Sequence, residues 1–344
     1  MKFSLWKFLH DQLSATPPVP REDLSGKTVA VIGANGGIGF EAAKHFAEMN
    51  PGKLILGCRD KKRGEAALES IKQATGLKTG EVWLIDLKSF DSVNAFAERF
   101  EKEDERLDIL VANAAILASL TVQTTSDGWE ETFQVNNMST NLLSLLLVPR
   151  MVQTAKKYNT LPRLVVVASE VHYLTNLSKR VVDAKKPWEA LGKAELCVPA
   201  DFKGEKRYFD TKLLNVFFVR ALNERLKGQP LIVNSVNPGF CLSNIRTNKY
   251  SGLRALLDKV MEALVARTAE QGSRQLLWAA LGGKDDEDKL RGAYVNAMAV
   301  NEPSDFVISD EGKAFQDKLW ADMMAELYPV NPKIQAIEAA YFVA

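Results

Sequence analysis

Between residues 26 and 236, short runs of aliphatic and β-branched residues alternate with longer stretches of helical periodicity, and few folds tolerate that alternation. Residues 28–32, 53–56, 82–85, 107–111, 164–167 and 231–236 have strand composition. Helical patterns follow the first strand through Ala42, Phe46 and Ala47, and recur over 88–104, 126–158 and 206–227. Strands joined through helices pair in parallel with right-handed crossovers, and ligands bind at the carboxyl ends of such strands. The expected fold class is α/β: a single doubly wound Rossmann-type domain, its parallel sheet of about seven strands covered by helices on both faces. That domain should occupy residues 26–300, with substrate lid segments at 170–205 and 240–275. An amphipathic arm and proline-rich linker precede it at 1–25, and a helical extension follows at 301–344.

Composition narrows the class of ligand. A hydrophobic share of 46% supplies a large core, and 44 Lys and Arg against 43 Asp and Glu leave a net charge of +1. Such a balance offers no electrostatic case for nucleic acid, so the expected partner is a small molecule, bound by a monomer or a homodimer. Three cysteines without CxxC spacing and three histidines give little material for a metal site, and reduced thiols suit a cytoplasmic protein. In the arm, Phe3, Trp6, Leu9 and Leu13 lie near helical spacing, while Lys7, His10 and Asp11 interrupt any signal-peptide core. The arm reads either as a helix packed back on the domain or as a weak interfacial membrane anchor; its few basic residues favour the former. The apolar run 142–148 is too short to span a bilayer and reads as a buried helix face.

The first chemical signal is the run Gly33, Ala34, Asn35, Gly36, Gly37, Ile38, Gly39, directly after a strand and opening a helix. Glycines there allow a tight turn and close approach of backbone to a pyrophosphate, whose charge the helix N-terminus stabilises. The second strand then ends in Cys58 and Arg59, without the acidic residue that would bind the ribose 2′-hydroxyl of NAD. A planar guanidinium matches a 2′-phosphate, so NADP is the expected cofactor in preference to NAD; the other reading of Arg59 is a solvated helix-start residue.

The second signal is Tyr208 and Lys212, four residues apart and hence on one helix face. An ammonium near the phenol favours its ionised form and makes the tyrosine a usable proton donor and acceptor. Taken alone the pair is a poor signal, and the default reading is a tyrosine packing its helix on the sheet.

Together these motifs resemble the short-chain dehydrogenase/reductase family over roughly residues 26–300. Its glycine motif is matched at Gly33, Gly37 and Gly39, with Ile32 in place of the threonine. The resemblance implies further cofactor contacts at Asp86, Leu87, Asn113 and Ala114, and a segment over the nicotinamide at Pro238, Gly239 and Ser243. It also implies a catalytic set of Asn136, Ser169, Tyr208 and Lys212, with Tyr208 and Lys212 touching the cofactor as well. In that set Ser169 would hydrogen-bond a carbonyl oxygen, Tyr208 would move the proton, Lys212 would hold ribose, and Asn136 would position a water.

The phrases GCRD, FQVNNM, YFDTKLLNVFF and NPGFC are similar to the retinol-dehydrogenase-like branch, including its fungal members. Two departures stand out: Asn137 replaces the branch's histidine, and Ser169 lies 39 residues before Tyr208. The implied reaction is hydride transfer between a nicotinamide and a hydrophobic carbonyl compound or secondary alcohol of retinoid, steroid or fungal-metabolite type. A non-catalytic cofactor sensor on the same fold is the alternative. The segments 186–200 and 240–270, with Trp188, Leu191, Phe240, Leu253 and Leu256, are expected to form a mobile apolar lid, Arg246 being the residue that could instead meet an acidic substrate.

Overall fold

Among the residues that the computed structural model describes, 2–103, 106–119, 121–196, 204–242, 262 and 264–343, eight strands form one sheet. These are β1 (Thr28–Ile32), β2 (Lys53–Cys58), β3 (Gly80–Leu84), β4 (Ile109–Ala112), β5 (Arg163–Val167), β6 (Ile232–Val236), β7 (Tyr294–Asn296) and β8 (Ala299–Asn301). Their order is β3-β2-β1-β4-β5-β6-β7-β8. The first seven pair in parallel, and β8 adds an antiparallel edge. That turn runs through Ala297 and Met298, both at positive φ, the hand that matches the twist of a tight hairpin. All residues of β1, β4, β5 and β6 are buried, as central parallel strands covered on both faces must be.

Successive side chains of a strand point to opposite faces, and the core divides accordingly. Val29 and Val31 join Leu54, Leu56, Ala42, Phe46 and Leu276 on one side of the sheet. That side is covered by α2 (Gly37–Ala47), α3 (Lys61–Thr75) and α7 (Ala269–Leu281). Ala30 and Ile32 face the other side with Ile55, Phe96, Leu142 and Leu213, under α4 (Phe90–Lys102), α5 (Ser139–Tyr158) and α6 (Gly204–Arg225). Two further helices, α8 (Asp310–Leu327) and α9 (Lys333–Tyr341), place Phe315, Leu319, Trp320, Met323 and Ile334 in this second cluster.

The expected helix over 126–158 starts later: a single turn at Glu131–Phe133 runs into a π-helical turn, Gln134–Met138, before α5 begins. Ahead of it, Glu130 is buried and its carboxylate accepts from the amides of Thr132 and Phe133, which stops the helix from extending upstream.

The lid expectation needs correcting at residues 186–192 and 268–275. Trp188, on the short helix Pro187–Gly192, is 2% exposed and stands edge-on to Phe133 at 4.9 Å. Its backbone amide donates to Asp322 on α8 at 2.7 Å. Trp188 and Leu191 are therefore core, because two large apolar groups gain more from burial against α8 than from covering a mouth. Residues from Ala269 onward belong to α7, started by a Thr268 and Gln271 capping box and packed on α2. Ser243, Arg246, Leu253 and Leu256 lie outside the described residues.

The arm forms α1 (Leu5–Leu13), which packs back on the domain beside the loop that follows β6. Among the described residues, no helix is long and apolar enough to cross a membrane.

Candidate active site

The turn after β1 is shaped by glycines for steric reasons. Gly33 has φ +83°, and a Cβ there would lie 3.0 Å from Ala114, while one on Gly39 would meet the Gly33 carbonyl oxygen and lie 2.5 Å from Asn113 Nδ2. Asn113, directly after β4, fills that space: its amide donates to the carbonyls of Ile32 and Gly33 at 3.3 Å. Gly36 and Gly37 face open space, and Gly36 provides no side-chain cap for α2. The first-turn amides of α2 are thus presented toward an open cradle, the arrangement that receives an anionic group. Asn35 and Ile38 sit half-buried in this turn. The cradle fits the pyrophosphate of a dinucleotide.

At the end of β2, Arg59 is exposed and the adjacent carboxylate, Asp60, is committed to capping α3 through the Arg63 amide at 2.9 Å. After β3, the Asp86 carboxylate accepts from the Lys88 amide at 3.0 Å, and Leu87 is buried in the core. Their side chains shape the turn into α4, leaving mainly backbone and the half-buried Asp86 to face a ligand.

Three side chains from two segments converge at the carboxyl end of β5. Ser169 follows that strand and caps a 3-10 turn, its hydroxyl accepting from the Val171 amide at 3.4 Å while its own proton is available to donate. Lys212 reaches over from α6, 2% exposed, and its Nζ donates to the Val167 carbonyl at 2.7 Å, two residues before Ser169. One turn earlier on α6, half-buried Tyr208 places its ring centroid 5.5 Å from that Nζ. Burial pushes Lys212 down to about 7, since little nearby offsets the loss of water around an ammonium.

Asn136 occupies the π-helical turn. Its Oδ1 accepts from the Ile116 amide at 2.8 Å, and its Nδ2 donates to the Ile116 carbonyl at 2.9 Å and to Thr211 Oγ1 at 3.1 Å. It braces the loop after β4 against α6, and the water-positioning role expected of it has one Oδ1 lone pair left to use. Pro238 and Gly239 follow β6, with Gly239 at φ +84°; Ser243 lies outside the described residues.

Two neighbours, His172 and Glu170, gave no sequence signal, and Asn137 stood out only as a departure from the resembled branch. His172 holds the Ser169 carbonyl through Nδ1 at 2.7 Å and accepts from the Ser304 amide at Nε2, 3.3 Å, which requires a neutral ring protonated on Nδ1. Its burial pushes it down to about 4. Glu170, beside Ser169, is driven up to about 7 by burial and by the nearby Asp11 charge. Asn137 donates to the Thr211 carbonyl at 2.9 Å and to Asn215 Oδ1 at 2.7 Å, a second brace between α5's entry turn and α6.

The family model for short chain dehydrogenases matches residues 27–172. A short chain dehydrogenase/reductase of Cryptosporiopsis sp. (strain 8999) is 33% identical over 331 residues, covering 95% of this chain and 98% of its own. A short chain dehydrogenase of Alternaria solani is 38% identical over 292 residues, 84% of this chain and 96% of its own. Among solved structures, a short-chain dehydrogenase from Sphingobium yanoikuyae in complex with NADPH covers 73% of this chain and 82% of its own, with a TM-score of 0.54 at 24% identity. The Pseudomonas aeruginosa RhlG/NADP active-site complex covers 79% of this chain and 95% of its own, at 0.59 and 20%. At those identities the likeness to the solved structures is one of fold.

Proposed function

Since the chain belongs to the short-chain dehydrogenase/reductase family, and so is an NAD(P)-dependent oxidoreductase acting on CH–OH groups, we propose that it uses NADP to interconvert a carbonyl and a secondary alcohol on a hydrophobic small molecule. The observation that carries this reading is the seat of Lys212 on the Val167 carbonyl, which brings α6, Tyr208 and the end of β5 with Ser169 into one place. In this reading residues 26–300 are the catalytic unit, 301–344 its helical extension, and the setting cytoplasmic, consistent with the buried Cys58 thiol.

When bound, the nicotinamide supplies or accepts the hydride at the carbonyl carbon. Ser169 donates a hydrogen bond to the substrate oxygen, which fixes that oxygen beside Tyr208. Tyr208 gives its phenolic proton to the oxygen during reduction and takes it back during oxidation. Lys212, when protonated, stabilises the phenolate that Tyr208 leaves behind, and its ammonium is the group placed to hold the cofactor ribose. Gly33, Gly37 and Gly39 keep the cradle open, with Asn113 and Ala114 behind it.

The preference for NADP rests on Arg59, exposed at the end of β2 where the single adjacent carboxylate is already a helix cap. NADP(H) in the Sphingobium and Pseudomonas structures agrees with it. An uncharged substrate fits the buried arginines nearby: Arg207 pairs with Glu130 at 3.4 Å, and Arg267 donates to the Asp11 carbonyl. The test is Tyr208→Phe in a turnover screen over apolar ketones and aldehydes, alongside NADPH titration. We expect turnover to fall at least a thousandfold while NADPH affinity stays within about threefold; substantial residual turnover would overturn the assignment of Tyr208.

A further inference from the structure

The nine-residue α1 is too short to persist by its own backbone bonds, and of its apolar side chains only Phe8 and Leu9 are even half-buried. Trp6 is 84% exposed, and Leu5 and Leu13 are exposed as well. Its polar hold on the domain comes mainly through one end. Gln12, its single buried residue, spends its whole amide on the far end of the chain: Nε2 donates to the Phe240 carbonyl at 2.6 Å and the Val265 carbonyl at 2.9 Å, and Oε1 accepts from the Phe240 amide at 3.1 Å. Phe240 and Val265 flank the segment that follows Pro238 and Gly239, so one side chain ties both of its ends. A Cβ on Gly239 would lie 3.0 Å from Gln12 Oε1, which puts the two in direct contact.

A second line of contacts runs parallel to the first. The Asp11 carboxylate accepts from Asn296 Nδ2 at 3.0 Å, Asn296 Oδ1 accepts from Asn237 Nδ2 at 2.9 Å, and Asn237 Oδ1 accepts from the Gly239 amide at 3.1 Å. Arg267 completes the frame, donating from its side chain to the Asp11 carbonyl and from its backbone to the Phe240 carbonyl at 2.8 Å. Five polar side chains, Gln12 and Asp11 of α1, Asn296 of β7, Asn237 just after β6 and Arg267 just before α7, thus form a frame around Gly239 and Phe240.

We propose that α1 is a buttress for the nicotinamide-covering loop, with Gln12 as the positioning residue that sets the height of Gly239 and Phe240 over the cofactor. The inference rests on the reading that Pro238 and Gly239 cover the nicotinamide. Gln12 acts through the loop and touches no reacting atom. Its loss leaves the pyrophosphate cradle intact and loosens the other end of the cofactor site.

The experiment compares Gln12→Ala and Gln12→Glu with the unaltered full chain, using NADPH as the probe. Gln12→Glu keeps the side chain's volume and its acceptor but cannot donate to the two carbonyls, so a folding defect in the alanine variant leaves the test standing. Three quantities are read: the NADPH dissociation constant, the emission of bound NADPH at saturation, and amide hydrogen exchange at Phe240, Cys241 and Leu242. Both variants should bind NADPH about five- to twentyfold more weakly, lose half or more of the emission enhancement, and exchange faster at those amides. Their melting transitions should remain cooperative. Faster exchange with unchanged affinity and emission would show a helix that merely steadies a loop, and would overturn the proposal, as would no change at all. Failure of the unaltered chain to bind NADPH would defeat the functional reading itself, whereas normal binding unmoved by either variant would defeat the buttress alone.

Discussion

Lys212 is the residue where folding and its proposed catalytic role pull in opposite directions. Its pKa lies at about 7 in the folded protein, below the unfolded 10.5, so the unfolded chain binds more protons between those limits. The contribution of this group to stability therefore rises with pH from about 7 to 10.5 and is lowest below 7. Lys212→Met should remove that slope and stabilise the ligand-free protein at pH 7 by roughly 1–3 kcal/mol, as chemical denaturation across pH 6–10 would read. Asn215 also donates to the Val167 carbonyl, at 3.4 Å, so that acceptor keeps a partner in the variant. The same substitution should abolish turnover; a variant with unaltered stability against pH would refute the burial argument. Arg59 is the converse case, an exposed cation whose worth depends on a ligand. Arg59→Asp should lower the ratio of kcat/KM for NADPH over NADH by at least tenfold, since a carboxylate repels a 2′-phosphate and accepts from a 2′-hydroxyl. An unmoved ratio would mean that Arg59 meets only solvent.

At the scale of elements, the turn between β1 and α2 is the tightest junction in the site. Gly39→Ala would press a methyl against the Gly33 carbonyl and Asn113 Nδ2, both held by neighbouring strands. We expect a loss of about 1–3 kcal/mol and a weakened NADPH complex, seen as a lower thermal midpoint together with a raised dissociation constant. Gly36→Ala, facing open space, should cost far less and serves as the control. The strand and helix that form this junction were readable from local pattern, and so was the glycine spacing. The π-helical turn at Gln134–Met138 was not, because what creates it is Asn136 and Asn137 bonding to the loop after β4 and to α6. Trp188 went astray for a related reason: an apolar residue among charges and a proline reads as a lid from sequence, and only the position of α8 makes it core.

At the scale of the whole molecule, α8 and α9 cover the outer sides of α6 and α5. Phe315 and Trp320 pack on Phe217 and Phe218 of α6, and Ile334 joins the cluster that contains Leu142 and Leu146. We expect this cover to withdraw those two helices from pairing between chains, and the full chain to sediment as a monomer. Removing residues 310–344 should expose this apolar surface and produce self-association, detectable by light scattering. A full-length dimer joined through α5 and α6 by cross-linking would contradict the packing described.

Periodicity and glycine spacing determined by themselves that this chain builds a parallel sheet with a glycine-rich turn after its first strand, and the pair Tyr208 and Lys212 marked the helix proposed to carry the proton donor. These are local signals: a strand alternates, a helix repeats, and a glycine turn needs only its own few residues to be recognised. Tertiary structure alone decided that Gln12 meets Phe240 across 228 positions, that His172 props the Ser169 carbonyl, that Trp188 is interior, and that the last helices seal α5 and α6. Each of those depends on which surfaces the closed sheet brings within hydrogen-bond or van der Waals reach. Contact of that kind leaves no periodic trace along the chain, because its partners are chosen by burial and polar satisfaction after the core has formed.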